Sequence, residues 1–243
     1  MNQIESYQKE VKNIDEELHT LPDGHLVRKN NCYYHAIGKK EVGITKKPKI
    51  IRQLCRKKYL LVRKQQLINN IAYLPVDLSK IDKRLPWEII ATFATAYQGL
   101  PVYYFYHPAM ETWVVAEYPK HPYPPEDGNH MTVKGLQLRS KSELLIATQL
   151  EVHQLPYRYE AKLTLGNKIE YPDFIIRNPF NGKVILWEHF GALHLSGYEK
   201  KMNEKMDLYL RHGYSLSDTL IYTFEFQVQN TQRLQALIED IIL

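Results

Sequence analysis

Two acids placed either side of a turn carry the clearest chemistry in this chain. Pro179-Phe180-Asn181-Gly182 reads as a tight connection between the strand candidates Tyr171 to Asn178 and Lys183 to His189. Half the sum of 173 and 188 equals half the sum of 179 and 182, so Asp173 and Glu188 are centred on that turn. A simple hairpin register then pairs them directly across adjacent strands, on the same face. Like charges opposed in this way, with Cβ atoms about 4.5–5.5 Å apart, destabilise a sheet. A divalent cation removes that penalty. Mg²⁺ asks for only one or two protein carboxylates and takes its remaining oxygens from water and phosphate, so the pair points to phosphate chemistry. A register one residue away would instead leave one acid exposed at a strand end.

The elements that must hold these acids follow from the flanking sequence. Ser140-Lys141-Ser142-Glu143 opens a helix running to about His153, with Pro156 beyond its end, and Glu143 sits where a capping box would place it. Tyr157 to Leu165 reads as the first of three strands, before the two that carry Asp173 and Glu188. Tyr198 to His212 is a helix stopped by Gly213, Thr219 to Phe224 a strand, and Thr231 to Ile242 a closing helix. On the helix from Tyr198, residues Tyr198, Met202, Lys205 and Tyr209 form one stripe, so a lysine interrupts an otherwise apolar face. A buried ammonium needs a partner, and the carboxylate pair is a suitable one.

In this order, Ser140 to Glu143, Tyr171-Pro172-Asp173-Phe174, Trp187-Glu188-His189 and the helix from Tyr198 through Lys205 to Tyr209 resemble the PD-(D/E)XK nuclease superfamily. The resemblance covers residues 135 to 243 and is to the branch with a Trp-Glu-His strand followed by a Tyr- and Lys-bearing helix. It implies a restriction-endonuclease-like core (helix, three strands, helix, strand, helix) and metal-dependent hydrolysis of phosphodiesters. By the same resemblance, Asp173, Glu188 and the backbone carbonyl of His189 bind Mg²⁺ or Mn²⁺, and Glu143 extends the acidic cluster. Arg139 and Lys141, beside the start of the helix that carries Glu143, read either as contacts to substrate phosphate or as ordinary first-turn surface residues. The family pattern has lysine two residues after the second acid, where this chain has Phe190. Lys205 is therefore expected to serve as a migrated catalytic lysine, with Lys201 one turn earlier in reserve.

Charge separates the rest of the chain from this core. Arg28 to Lys64 holds thirteen Lys/Arg against the single acid Glu41, while the chain as a whole is only +5. Ile4, Tyr7, Val11, Ile14 and Leu18 form the stripe of a first helix, a small hairpin follows around Lys29-Asn30-Asn31, and a second helix runs from about Pro48 to Ile71. On that helix Ile51, Leu54, Leu61 and Ile68 are expected on the seam, with Lys49, Arg52, Arg56 and Arg63 on a basic face suited to phosphate backbones. The two-helix seam would equally serve a homodimer. Trp87 to Gln98 reads as a helix, and Pro101 to Tyr106 and Thr112 to Tyr118 as strands.

The expected architecture is α/β (α+β): a basic helical arm over 1–72, an aromatic-rich middle segment and Pro-rich linker over 73–134, and the core over 135–243. Ordinary globular composition, with 44% hydrophobic and 24% charged residues, excludes a disordered chain. No apolar run reaches the ~20 residues needed to span a bilayer. The acidic start does not resemble a secretory signal. Cys32 and Cys55 form no CxxC pair, which fits a reducing cytoplasm and argues against zinc. The expectation is a Mg²⁺/Mn²⁺-dependent endonuclease acting on nucleic acid, DNA before RNA. Its alternatives are an inactive nucleic-acid-binding protein on the same core, or a dimerisation or partner-docking module.

Overall fold

A computed structural model of the chain describes residues 3–125, 130–191, 196–216 and 218–242. The chain divides between His107 and Pro108 into two compact units. The division falls inside the expected middle segment, so residues 73–107 belong with the arm and 108–134 with the C-terminal core.

In the first unit α1 (Gln3–Leu18) leads to a three-stranded antiparallel sheet of β1 (His25–Lys29), β2 (Cys32–Ile37) and β3 (Lys40–Gly43), and then to α2 (Pro48–Tyr73). Asn30 and Asn31 both take positive φ, 48° and 62°, the conformation a two-residue hairpin turn demands and asparagine tolerates. The third strand was not expected.

The seam of α2 corrects two expectations. Leu61 and Ile68 are exposed, whereas Arg56 and Arg63 are 3% and 4% exposed. Arg56 donates through Nε and Nη2 to Glu17 at 2.8 Å each, and through Nη1 to the Phe105 carbonyl. Arg63 donates through Nε to Glu10 at 2.9 Å and through Nη1 to Gln66. Glu10 and Glu17 are seven residues apart, as are Arg56 and Arg63, so the two antiparallel helices meet along a repeating ionic seam. These two arginines are structural, not phosphate-binding, and the seam that suggested a dimer is filled within the chain.

After α2 the chain folds back onto it, with the Asn70 amide exchanging hydrogen bonds with the backbone of Asp82. Helix α3 covers only Pro86–Ala91, because the Thr92 hydroxyl and the Gln98 amide bind the Ile89, Ala91 and Phe93 carbonyls and close it early. Both expected strands of the middle segment are absent. Val102–Phe105 is a 3₁₀ turn following Pro101, and Met110–Trp113 is a single helical turn, α4. Prolines at 101 and 108 remove ladder donors from this aromatic run.

The second unit is a mixed α/β fold. It contains α5 (Lys141–Val152), β4 (Tyr157–Tyr159), β5 (Leu163–Leu165), β6 (Lys168–Glu170), β7 (Phe174–Arg177), β8 (Val184–Phe190), α6 (Tyr198–Arg211), β9 (Leu220–Phe224), the short α7 (Glu225–Val228) and α8 (Thr231–Ile242). The sheet order is β4-β7-β8-β9, antiparallel except for β8 and β9, which are parallel across the α6 crossover. The expected first strand is split. Glu160 takes a positive φ of 44°, the chain leaves the sheet there, and β5 and β6 form a separate hairpin. Tyr209 of α6 packs with Ile175, Leu186 and Leu220, which puts α6 over one face of the sheet.

Candidate active site

Phe174 is registered with Trp187 and Ile175 with Leu186, so continuing the ladder by one residue sets Asp173 opposite Glu188. Pro172 precedes Asp173 and the ladder ends there. The Asp173 carboxylate takes the place of the next backbone acceptor: Oδ2 accepts the His189 N–H at 2.6 Å. The Asp173 carbonyl accepts the Glu160 N–H, tying the end of β7 to the point where β4 leaves the sheet.

Glu188 is 1% exposed. Lys205 Nζ lies 2.8 Å from its carboxylate, and the Tyr209 hydroxyl donates to Oε1 at 2.5 Å. Residues four apart on a helix share one face, which is why α6 delivers both groups together. Asp173 is deeply set in protein yet keeps some accessible surface, whereas Glu188 keeps almost none.

The electrostatics follow from depth. Burial, and then the neighbouring Glu188 charge, hold Asp173 well above the ordinary carboxylate range against the pull of Lys205 and the His189 N–H. Burial also raises Glu188, opposed by Lys205 and Tyr209. For Lys205 burial acts downward, but Glu188 and Asp173 outweigh it and the ammonium is held more firmly than usual. Two buried carboxyls thus face one ammonium. Glu143 and Glu170 add negative potential, the first acting on Asp173 and the second on Glu188 and Lys205.

Glu143 is placed by α5. Its N–H is capped by Ser140 Oγ at 3.2 Å, while its carboxylate accepts the Tyr159 hydroxyl at 2.6 Å and the Arg139 N–H at 3.0 Å. The reciprocal bond of a capping box thus goes to the residue before the cap. The His189 ring is 3.2 Å from both Thr223 Oγ1 and Glu225 Oε2. Its backbone N–H and C=O face β7, because both groups of a strand residue project toward the same neighbour.

Asp173, Glu188 and Lys205 are brought together, Glu143 bears on them through its charge, and His189 touches them through its backbone. Lys201 and Lys141 are exposed on their helices. Arg139 is committed to Glu160 at 2.6 Å and to the Tyr123 carbonyl, so its charge is largely neutralised. Lys49 is exposed and Arg52 half-buried in the first unit. Tyr209 stands on the Lys205 stripe in the sequence but was given no role there; Tyr159 and Glu170 were missed, because they arrive through the split of the first strand, which carried no recognised signal.

Among the described residues no three His, Cys, Asp or Glu side chains are grouped to hold a metal by themselves. Comparison with protein-family models, curated proteins and solved structures returns no match for this chain.

Proposed function

We propose that the second unit is a metal-dependent nuclease of the PD-(D/E)XK kind, hydrolysing phosphodiester bonds in nucleic acid, DNA being the first substrate to test. The observation that carries this reading is the opposed pair Asp173 and Glu188, deep at a strand end and sharing one lysine. The donor set suits a hard cation such as Mg²⁺ or Mn²⁺. Among the described residues, two carboxylates face one ammonium, which leaves a deficit of positive charge in a low-dielectric site, and Mg²⁺ needs no third side chain. Asp173, Glu188 and the His189 carbonyl would hold it, with Glu143 at the edge of the cluster. Bound there, a cation supplies electrostatic stabilisation of the transferring phosphoryl group and a more acidic water.

The chain's own groups do the rest. Lys205 bonds Glu188 and is within the electrostatic reach of Asp173, where it can donate to an attacking water or a phosphate oxygen; Phe190 leaves it as the lysine of the site. Tyr209 fixes one Glu188 oxygen and so orients the other. In the first unit, with Arg56 and Arg63 spent, the exposed Lys46, Lys47 and Lys49 at the start of α2 are the phosphate-binding residues of the arm.

The test is cleavage of single- and double-stranded DNA and RNA with Mg²⁺, Mn²⁺ or EDTA by wild type, Asp173→Ala and Glu188→Ala. Metal-dependent cutting lost in both variants supports the assignment. No cutting with either metal, with binding retained, would leave an inactive nucleic-acid-binding protein, and cutting retained in both variants would overturn the site.

A further inference from the structure

A cleft of about 510 Å³ opens at the β4 margin of the second unit, between the end of α5 and the segment after α4. Its walls include Trp113, Tyr118 and Tyr157, and its cations are Lys134 and Arg158. The Arg158 guanidinium lies 4.5 Å from the Trp113 ring centre and 4.9 Å from that of Tyr118, and Nη2 donates to the Trp113 carbonyl at 2.9 Å. It is thus fixed in place with further donors left over, the condition under which a guanidinium recognises phosphate well.

The lining carries a small excess of positive charge, Lys134 and Arg158 against Glu151, and Arg177 bears on Arg158 from outside the cleft. Burial and the Arg158 charge both weaken proton retention by Arg177, so the two guanidiniums lie close enough to repel. Among the described residues neither is in an ion pair with a carboxylate. The acid in the lining, Glu151, already accepts the Tyr157 hydroxyl at 2.9 Å.

The position is as telling as the composition. Arg158 is registered with Ile175, and Asp173 and Arg177 lie two residues to either side of Ile175, so all share one face of the sheet. Two residues of strand span about 7 Å, so Arg158 and Asp173 occupy neighbouring positions on that face.

We infer that this cleft receives a single-stranded segment of nucleic acid, a base resting on the aromatic wall and phosphates on Arg158 and Lys134, on the same face of the sheet as the carboxylate pair. A concave, aromatic-walled site admits an unstacked base, and a duplex does not present one. The class of polymer rests on the nuclease reading; the cleft's charge and shape do not.

The experiment uses the full chain in EDTA, so that binding is read without cleavage. Fluorescein-labelled dT15 is followed by anisotropy across a salt series, and tryptophan emission with unlabelled dT15 is followed in a Trp87→Phe background, which leaves Trp113 and the fully buried Trp187 as emitters. Saturating dT15 is expected to quench emission in that background and not when Trp113→Phe is added. Lys134→Glu, at an exposed position, is expected to weaken dT15 binding several-fold and to lower the salt slope by about 0.7, the value for one single-strand phosphate contact. A dT15-dependent quench that persists with Trp113→Phe, wild-type affinity in Lys134→Glu, equal competition by a 15-base-pair duplex, or binding of free dTMP without dT15 would each overturn the inference. Failure of the nuclease reading shows separately, as no metal-dependent cleavage while dT15 binding in EDTA still depends on Lys134.

Discussion

Lys205→Met removes the cation set against Glu188, and its cost can be worked through. At 2.8 Å, with an effective dielectric constant of 20, two unit charges attract by about 6 kcal/mol. The variant does not lose that much, because Glu188 can take up a proton instead. Holding a carboxyl of ordinary value 4.5 protonated at pH 7 costs about 3.4 kcal/mol, from 1.36 kcal/mol per pH unit. This smaller figure is the ceiling, so the expected loss is about 3 kcal/mol at pH 7. The native variant then binds one more proton than its unfolded chain, and its stability rises as pH falls. At pH 5.5 the same reasoning leaves a ceiling of about 1.4 kcal/mol. Urea denaturation of wild type and variant in EDTA at both pH values reads the difference. Adding Glu188→Gln should recover most of the loss, since removing both partners of a buried pair is far less costly than removing one. A loss below about 1 kcal/mol at pH 7, or one of equal size at both pH values, would refute the buried pairing.

Asp173→Asn should abolish cleavage yet raise the melting temperature at pH 7.5. Its folded-state pKa is raised, so the wild-type carboxyl favours the fold at low pH and that contribution is lost as pH rises. A gain of about 0.5–2 kcal/mol that shrinks towards pH 4 is expected in scanning calorimetry; destabilisation at neutral pH would contradict it. Tyr209→Phe takes a donor from an ionised, buried acceptor and should lose about 1.5–3 kcal/mol together with activity, measurable by denaturation and a cleavage assay. Arg56→Met should cost about 3 kcal/mol by stranding Glu17 and leaving the Phe105 carbonyl without its donor, with the salt slope of DNA binding unchanged. Lys46→Glu with Lys47→Glu should do the reverse, flattening the slope by about 0.9 per lost contact on duplex DNA with stability within about 0.5 kcal/mol.

The second unit was legible wherever side-chain period and turn chemistry agreed. Gly182 ends a turn whose Asn178 side chain accepts from the Phe180 and Asn181 N–H groups, and that local device sets the register bringing Asp173 level with Glu188. The Lys205 stripe was legible for the same reason, since a cation on an apolar helix face states its need for a partner. The arm misled because a helical wheel gives angular position, not depth. Arg56 and Arg63 share a face with Lys49, which stays exposed, and only the matching spacing of Glu10 and Glu17 on α1 shows that these two turn inward. The middle segment misled because aromatic and β-branched residues were read as strand where prolines at 101 and 108 leave no ladder to join. The break at Glu160 lies beyond such rules. A glutamate with positive φ has no local preference for it and is held by its tertiary partners: Arg139 on the side chain and Asp173 on the backbone N–H.

The same bookkeeping separates the candidate site from the rest of the protein. Among the described residues every buried side-chain nitrogen and oxygen has a hydrogen-bond partner, so the fold does not tolerate loose polar groups. The two buried arginines of the first unit are balanced as well, Arg56 by Glu17 and Arg63 by Glu10. Around Asp173 and Glu188 the hydrogen bonds are complete but the charge is not, because one ammonium serves two deep carboxyls with Glu143 and Glu170 close by. An apolar pair at these positions would satisfy the sheet without that cost. On the proposed nuclease reading this imbalance is what a bound cation would relieve, and Asp173, which keeps some accessible surface where Glu188 keeps almost none, is the side it would approach.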